Sequence, residues 1–290
     1  SYDRHHINGP NIYRTILTRY TNGEFRDIIP LTGYGTGPAL LSDIPEIKNV
    51  ARTHYMFGGA ILSSDTKNRV PFREDRGYLV DPSFLQMFTF EVLSGNIKSA
   101  LDQPDNIVIT RSRAEKYFGH TDVVGQPLKV TGAWMDSYFT ISAIIGDQAE
   151  NSTLAFDLLL PLDGLLQEQQ YTEDDGWGWN NFTTYVQLYP GTDINTITEK
   201  IPEFISKYRR SKLDITFQSL HDVHTQTGLA FDSSDRVSRN RIYFFVVIAV
   251  FILCIAWINY INLATARAME RAREVGIKKV IGARKQQLIL

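Results

Sequence analysis

The chain has 290 residues, 43% hydrophobic and 12% aromatic, enough for one large folded domain or two smaller ones. Its single cysteine, Cys254, excludes an internal disulfide framework. The formal net charge of −2 hides an asymmetry. Residues 1–240 carry 22 Lys and Arg against 30 Asp and Glu, whereas residues 241–290 carry 8 against 2, which points the basic end toward a membrane or nucleic acid.

In chain order, NIYRTILTRYTNGEFRDIIPL predicts a β-hairpin, with Asn22-Gly23 turning between two runs rich in β-formers. GYGTGPALLSDIPEI follows, and its glycines resemble a phosphate loop. No Lys-Ser/Thr follows them and no apolar strand leads into them, so the reading is a mobile loop. Thr36 is expected to cap a helix with Pro38 in its first turn. NVARTHYMF and AILSSDTKNRVPFREDRGYLVD alternate as strands do, DPSFLQMF predicts a short helix and IKSALDQ another. NIVITRSRAEKYFG joins an apolar strand to a helix capped by Thr110 or Ser112 and ended by Gly119; Ser112 and Glu115 have capping-box spacing. LKVTGAWMDSYFTISAIIGD predicts two strands, LDGLLQEQQY a helix and FTTYVQLYPG a strand. DINTITEKIPEFISKYRR is an amphipathic helix and LDITFQSL a last strand. Strands and helices interleave, so residues 1–240 are expected to form an α+β body in two lobes.

Few residues in this body suggest chemistry. His221 and His224 stand three apart, but no further His or Cys lies near them in sequence, and His5, His6, His54 and His120 are scattered, so no metal site is expected. Glu173, Asp174 and Asp175 precede GWGWN without EF-hand spacing and are read as a solvated turn, with Trp177 and Trp179 packing at a strand entrance. No GxSxG occurs and Cys254 lies in an apolar run, so no catalytic residue is assigned and the body reads as non-enzymatic.

From Ile242 to Ala264 the chain has no charged residue. Twenty-three residues at about 1.5 Å each reach roughly 34 Å, enough to cross a hydrocarbon core of about 30 Å. Arg236, Arg239 and Arg241 precede this run, whereas Arg267, Arg271, Arg273, Lys278, Lys279, Arg284 and Lys285 follow it. The excess places the C-terminal side in the cytoplasm and the body outside, which in turn requires an earlier membrane helix before Ser1. The expected boundaries are therefore 1–240 for the outer body, 241–265 for the membrane helix and 266–290 for a cytoplasmic segment. In that segment Glu274 lies four residues before Lys278, the favourable order for a helical pair. Gly276 and Gly282 are expected to interrupt the helix. Such order suits docking to a protein, with attraction to the lipid bilayer alongside and no role for nucleic acid. Asn259 and Asn262 are candidates for hydrogen bonding between membrane helices.

INLATARAMERAREVGIKKVIGARKQQLI resembles the segment after the second membrane helix of FtsX-like ABC transporter permeases, through Asn262, Leu263, Ala266, Arg267, Arg271, Glu274, Gly276, Ile277, Lys278, Lys279, Gly282 and Ala283. YDRHHINGPNIYR, DPSFLQMFTFEVLSGN, NIVITRSRAEKYFG and VVGQPLKV resemble the MacB-like periplasmic core domain, although His5-His6 replaces a common Phe-His. The resemblance implies a multi-pass permease subunit of the bacterial inner membrane, with a βαβ Porter-type lobe and a smaller second lobe in the periplasm. It implies coupling to a separate ABC ATPase through Glu274, Gly276, Ile277, Lys278, Lys279, Gly282 and Ala283. ATP and Mg would be bound by that partner, and this chain would hold no cofactor. A second permease subunit, identical or not, and a periplasmic or outer-membrane partner are further implications, with efflux or mechanotransmission as the outcome. The alternatives are an FtsX-type regulator of cell-wall hydrolases and a membrane-anchored enzyme.

Overall fold

The computed structural model describes residues 2–56, 58–64, 71–132, 135–149, 151–168, 174–208, 213–225, 229–230 and 239–280. The chain divides into two units, Ser1–Arg236 and Val237–Leu290. In the first unit, β1 (Ile12–Thr21) and β2 (Glu24–Ile29) form the expected hairpin. Asn22 and Gly23 join them at φ of 53° and 84°, the two left-handed residues that the strand twist demands of a two-residue turn. A short strand β3 (Thr32–Gly33) leads into helix α1 (Thr36–Asp43). There the structure differs from the reading of a mobile loop followed by a helix that Thr36 caps. Gly35 is the N-cap and Thr36 is the first helical residue, buried. The Gly35 N–H donates to the Gly176 carbonyl at 3.0 Å, and a Cβ on Gly33 would collide with that same carbonyl. These glycines serve a close backbone crossing.

β4 (Ile47–Tyr55), β5 (Ala60–Ser64), β6 (Phe72–Glu74) and β7 (Gly77–Val80) follow, then helix α2 (Phe84–Met87). β8 (Val92–Gly95) was not expected. The predicted helix at IKSALDQ is a run of turns; a segment this short, with Pro104 close behind it, cannot offset the cost of helix nucleation. β9 (Asn106–Thr110) runs directly into α3 (Arg111–Phe118), which Gly119 ends at φ 80° as expected. Its N-terminus is held differently: no side-chain cap comes from Thr110, and the Ser112 N–H donates to Asp147 at 3.2 Å. Both this amide and the neighbouring hydroxyls hold the Asp147 carboxyl below its usual range, against the opposing effect of burial.

The remaining elements are β10 (Pro127–Gly132), β11 (Asp136–Ile145), β12 (Leu158–Pro161), α4 (Leu162–Glu168), β13 (Asn180–Leu188), α5 (Ile194–Tyr208) and β14 (Leu213–Ser219). The strands join one mixed 14-stranded sheet with the path β14-β1-β13-β4-β7-β12-β9-β11-β10-β5-β6. β11 pairs parallel with β9 and β12 parallel with β7, and the other ladders are antiparallel. The body is α+β. Its central strands are apolar on both faces because both faces are covered: Ile107, Ile109, Leu158 and Leu160 pack into one core, Val108 and Leu159 into a second on the other side. A third core lies under α1 and α5, where Ile197, Ile201 and Phe204 give α5 its buried stripe.

A charged node ties α3 to three strands or their flanks. Asp157, nearly buried, accepts two hydrogen bonds from Arg76, at 2.8 and 3.0 Å, and one from Arg113 at 2.8 Å. Arg113 also pairs with buried Glu74 at 3.2 Å, and Glu74 accepts from Lys116. Tyr117 packs beside the node, its hydroxyl pKa pushed up by burial and by Glu74.

Candidate functional site

The second unit contains α6 (Arg239–Val280), a helix of 42 residues. At about 1.5 Å per residue it is about 63 Å long, twice the thickness of a hydrocarbon core. Within it, Tyr243–Lys278 contains a stretch apolar and long enough to cross a membrane, and none of its most apolar window is buried in the protein. Phe244, Phe251, Leu253, Ile255 and Trp257 are each more than 60% exposed, which in water would leave a continuous apolar surface that the hydrocarbon of a bilayer removes.

Of the residues assigned to coupling, Glu274, Gly276, Ile277, Lys278 and Lys279 lie on the last turns of this helix. Glu274 and Lys278 pair at 2.7 Å, as their spacing suggested, and both remain exposed. Gly276 does not interrupt the helix, which continues through it to Val280; a Cβ there would meet nothing within 4 Å. Ile277 is 53% exposed. The helical position of Lys279 is described but its side chain is not, and Gly282 and Ala283 lie outside the described residues, as do Arg284, Lys285 and Arg236. Asn259 and Asn262 are exposed along the apolar run. Thr265 returns its hydroxyl to the Ile261 carbonyl at 2.8 Å, which removes a polar group from the lipid.

In the first unit the chain's opening residues are fastened to the connection between β11 and β12, to Thr89 and to the segment that follows β14. Asp3, fully buried at φ 56°, accepts from the Ser152 hydroxyl at 3.1 Å and from the Thr153 N–H and hydroxyl at 2.9 and 2.6 Å. Tyr2 stacks on His224 with ring centroids 3.3 Å apart. Ile7 donates to Thr89, and the Thr89 N–H donates to His6 Nδ1 at 3.1 Å. The fold thus gathers histidines that sequence spacing left scattered: His5 lies 4.0 Å from His6, and His221 packs against Gly9. The Nε2 atoms of His6 and His221 are buried without a hydrogen-bond partner. Among the described residues no group of three potential ligands could hold a metal.

Burial, and to a lesser degree His5, lowers the His6 pKa to about 4. A base whose folded pKa lies below its unfolded value of 6.5 contributes stability that is complete above pH 6.5 and is lost as pH falls toward 4. Going from pH 7 to pH 5 should cost the body about 2 kcal/mol through His6. His54, also lowered by burial, adds in the same direction. Urea unfolding at the two pH values checks this, because His6→Gln should remove that share of the difference; an unchanged difference would contradict it.

Other sequence candidates are used in packing. Trp177 stacks on Tyr208 at 4.9 Å, and Trp179 meets Phe182 edge-on at 5.3 Å. Glu173 and the side chains of Asp174 and Asp175 lie outside the described residues.

The sequence matches the family of MacB-like periplasmic core domains over residues 2–204. The chain belongs to that family. The match ends within α5; beyond it, β14 pairs with β1 over seven positions, from Tyr13↔Ser219 to Arg19↔Leu213. Among solved structures, one similar fold is a domain of a candidate permease protein from Porphyromonas gingivalis, 22% identical with a TM-score of 0.60 over 79% of this chain and 96% of that one. Another is the periplasmic region of MacB from Actinobacillus actinomycetemcomitans, 15% identical with a TM-score of 0.50 over 76% and 95%. The extracellular domain of YknZ, a noncanonic ABC-type transporter of Gram-positive bacteria, aligns at 12% identity and a TM-score of 0.45, over 71% and 100%. At these identities the likeness is one of fold. No curated protein matches the sequence. A MacB-like periplasmic core domain and a helix able to cross a bilayer on one chain mark a membrane protein.

Proposed function

We propose that this chain is part of a permease subunit of a MacB/FtsX-type ABC transporter, in which movements of the outer body are coupled to ATP hydrolysis by a separate subunit. The observation that carries this reading is the single helix α6, which leaves the apolar run and continues unbroken through Glu274, Gly276 and Lys278 on the same chain as a MacB-like core domain. A rigid helix transmits displacement along its axis, and an exposed basic end carrying a paired carboxylate is suited to dock a protein surface. In this reading residues 1–240 are periplasmic, 241–265 cross the inner membrane and 266–290 are cytoplasmic, in a subunit that crosses the membrane several times. The β9–α3–β11 unit with parallel β9 and β11 would form the Porter-type lobe, separated from a second lobe at the narrow β12–β9 pairing. The partners are an ABC ATPase that holds ATP and Mg, a second permease subunit and a periplasmic or outer-membrane protein. Asn259 and Asn262 would hydrogen-bond between membrane helices.

The test is to isolate the full-length protein from native membranes in mild detergent and identify by mass spectrometry what accompanies it. An ABC ATPase should co-purify with the native protein and be reduced at least about tenfold by Glu274→Lys with Gly276→Trp. Absence of any ATPase from the native preparation would overturn the coupling role. A cell-wall hydrolase accompanying it instead would favour a regulator.

A further inference from the structure

β12 pairs with β9 at two positions only, Leu158↔Ile109 and Leu159↔Val108. Beyond Leu159 the two strands separate: Pro161 has no N–H to offer a ladder, and β9 itself starts only at Asn106. A cavity of about 310 Å³ occupies the gap. Leu79, Phe139, Leu160 and Leu165, all buried, form its apolar walls, and Asp105 and Tyr138 stand at its exposed rim. Gly164 of α4 also lines it, and a Cβ there would sit 4.0 Å from the Pro104 carbonyl, so the missing side chain leaves usable space. No Lys or Arg lines the cavity. The Asp105 side chain has no hydrogen bond or ion pair among the described residues.

We propose that this cavity binds a small amine with an apolar body. Its volume lies at the lower end of ligand pockets, which run from about 300 to 1,000 Å³. The walls accept an aryl or alkyl group, and the unpaired Asp105 carboxylate at the rim accepts an ammonium N–H as a charge-assisted hydrogen bond. A carboxylic acid of the same shape would place a second negative charge against Asp105. The site does not depend on the coupling role proposed for α6.

Four methionines occur in the chain, and Met135 lines the cavity whereas Met87 packs in a separate core and Met269 lies on α6. The whole chain, labelled with ¹³C at the methionine methyls and held in lipid nanodiscs, can therefore be titrated with phenylbutylamine, phenylbutanol and phenylbutyrate. The Met135 signal should move saturably with the amine, more weakly with the alcohol and least with the acid, while Met87 stays still. Gly164→Phe should abolish the response, and Gly164→Ala should retain it as the folded control. Asp105→Asn should weaken amine binding about threefold, as for an exposed ion pair, and leave the alcohol unchanged. A Met135 signal that never saturates, or moves only in step with Met269, would mean partition into lipid and overturn the site. Equal binding of amine and acid would overturn its charge preference.

Discussion

Replacing Asp157 by alanine should lower the unfolding free energy of the body by about 2–3 kcal/mol, the cost of removing a buried acceptor of charge-assisted hydrogen bonds while Arg113 keeps Glu74. Asp157 is 4% exposed and receives Arg76 and Arg113, and Arg113 is itself only 20% exposed and shared with Glu74. Arg76, 55% exposed at its side chain, can turn to water when its carboxylate is lost; Arg113 cannot. The variant with Arg113→Met as well should lose more, because buried Glu74 is then left with Lys116 alone. Urea unfolding followed by near-ultraviolet circular dichroism measures both. A single-variant loss under about 1 kcal/mol, the value of a surface pair, would show the node to be solvated.

Asp3→Ala should cost about 3 kcal/mol and loosen the first residues of the chain. Three donors, the Ser152 hydroxyl and the Thr153 N–H and hydroxyl, lose their acceptor at a buried site, at about 1–3 kcal/mol for each donor that water cannot reach. Alanine also tolerates φ 56° less well than aspartate. Asp3→Asn keeps an acceptor and the left-handed tolerance, so it should lose about half as much. Amide hydrogen exchange at Thr153 and Thr89 is the local readout. Fast exchange at Thr153 with unchanged exchange at Thr89 would mean that His6, not Asp3, holds this segment.

Where neighbours in sequence decide the structure, the sequence was readable. Asn22-Gly23 forms its hairpin turn, the strand–helix step NIVITRSRAEKYFG is β9 and α3, and the charge-free run after Ile242 is one exposed apolar helix. β12 was missed because LLLP runs straight into LDGLL, and an apolar run buried on both faces has no alternation to mark it. Asp3 and Asp157 were invisible for another reason. Their partners lie about 150 and 40–80 residues away, and nothing local distinguishes a buried carboxylate from a solvated one. Gly276 was read as a break because glycine lowers helix propensity, yet one glycine costs only about 1 kcal/mol and the flanking residues of α6 favour the helix. The candidate coupling residues owe their assignment to resemblance, since a docking surface leaves no mark on an isolated helix. The cavity had no signature either, because its walls come from four separated stretches of chain.

The pairing of Tyr13 with Ser219 places the first residues of β1 beside the last residues of β14. Tension applied between the two ends of the body would therefore fall first on one end of this antiparallel ladder and open its bonds one after another, as a zipper does, instead of loading all of them at once in shear. Tyr2 on His224 and Gly9 against His221 lie outside that first pair and would take the strain before it. They act as a clasp across the seam, so the force at which the body yields is set by a few aromatic and backbone contacts and not by the extent of the sheet.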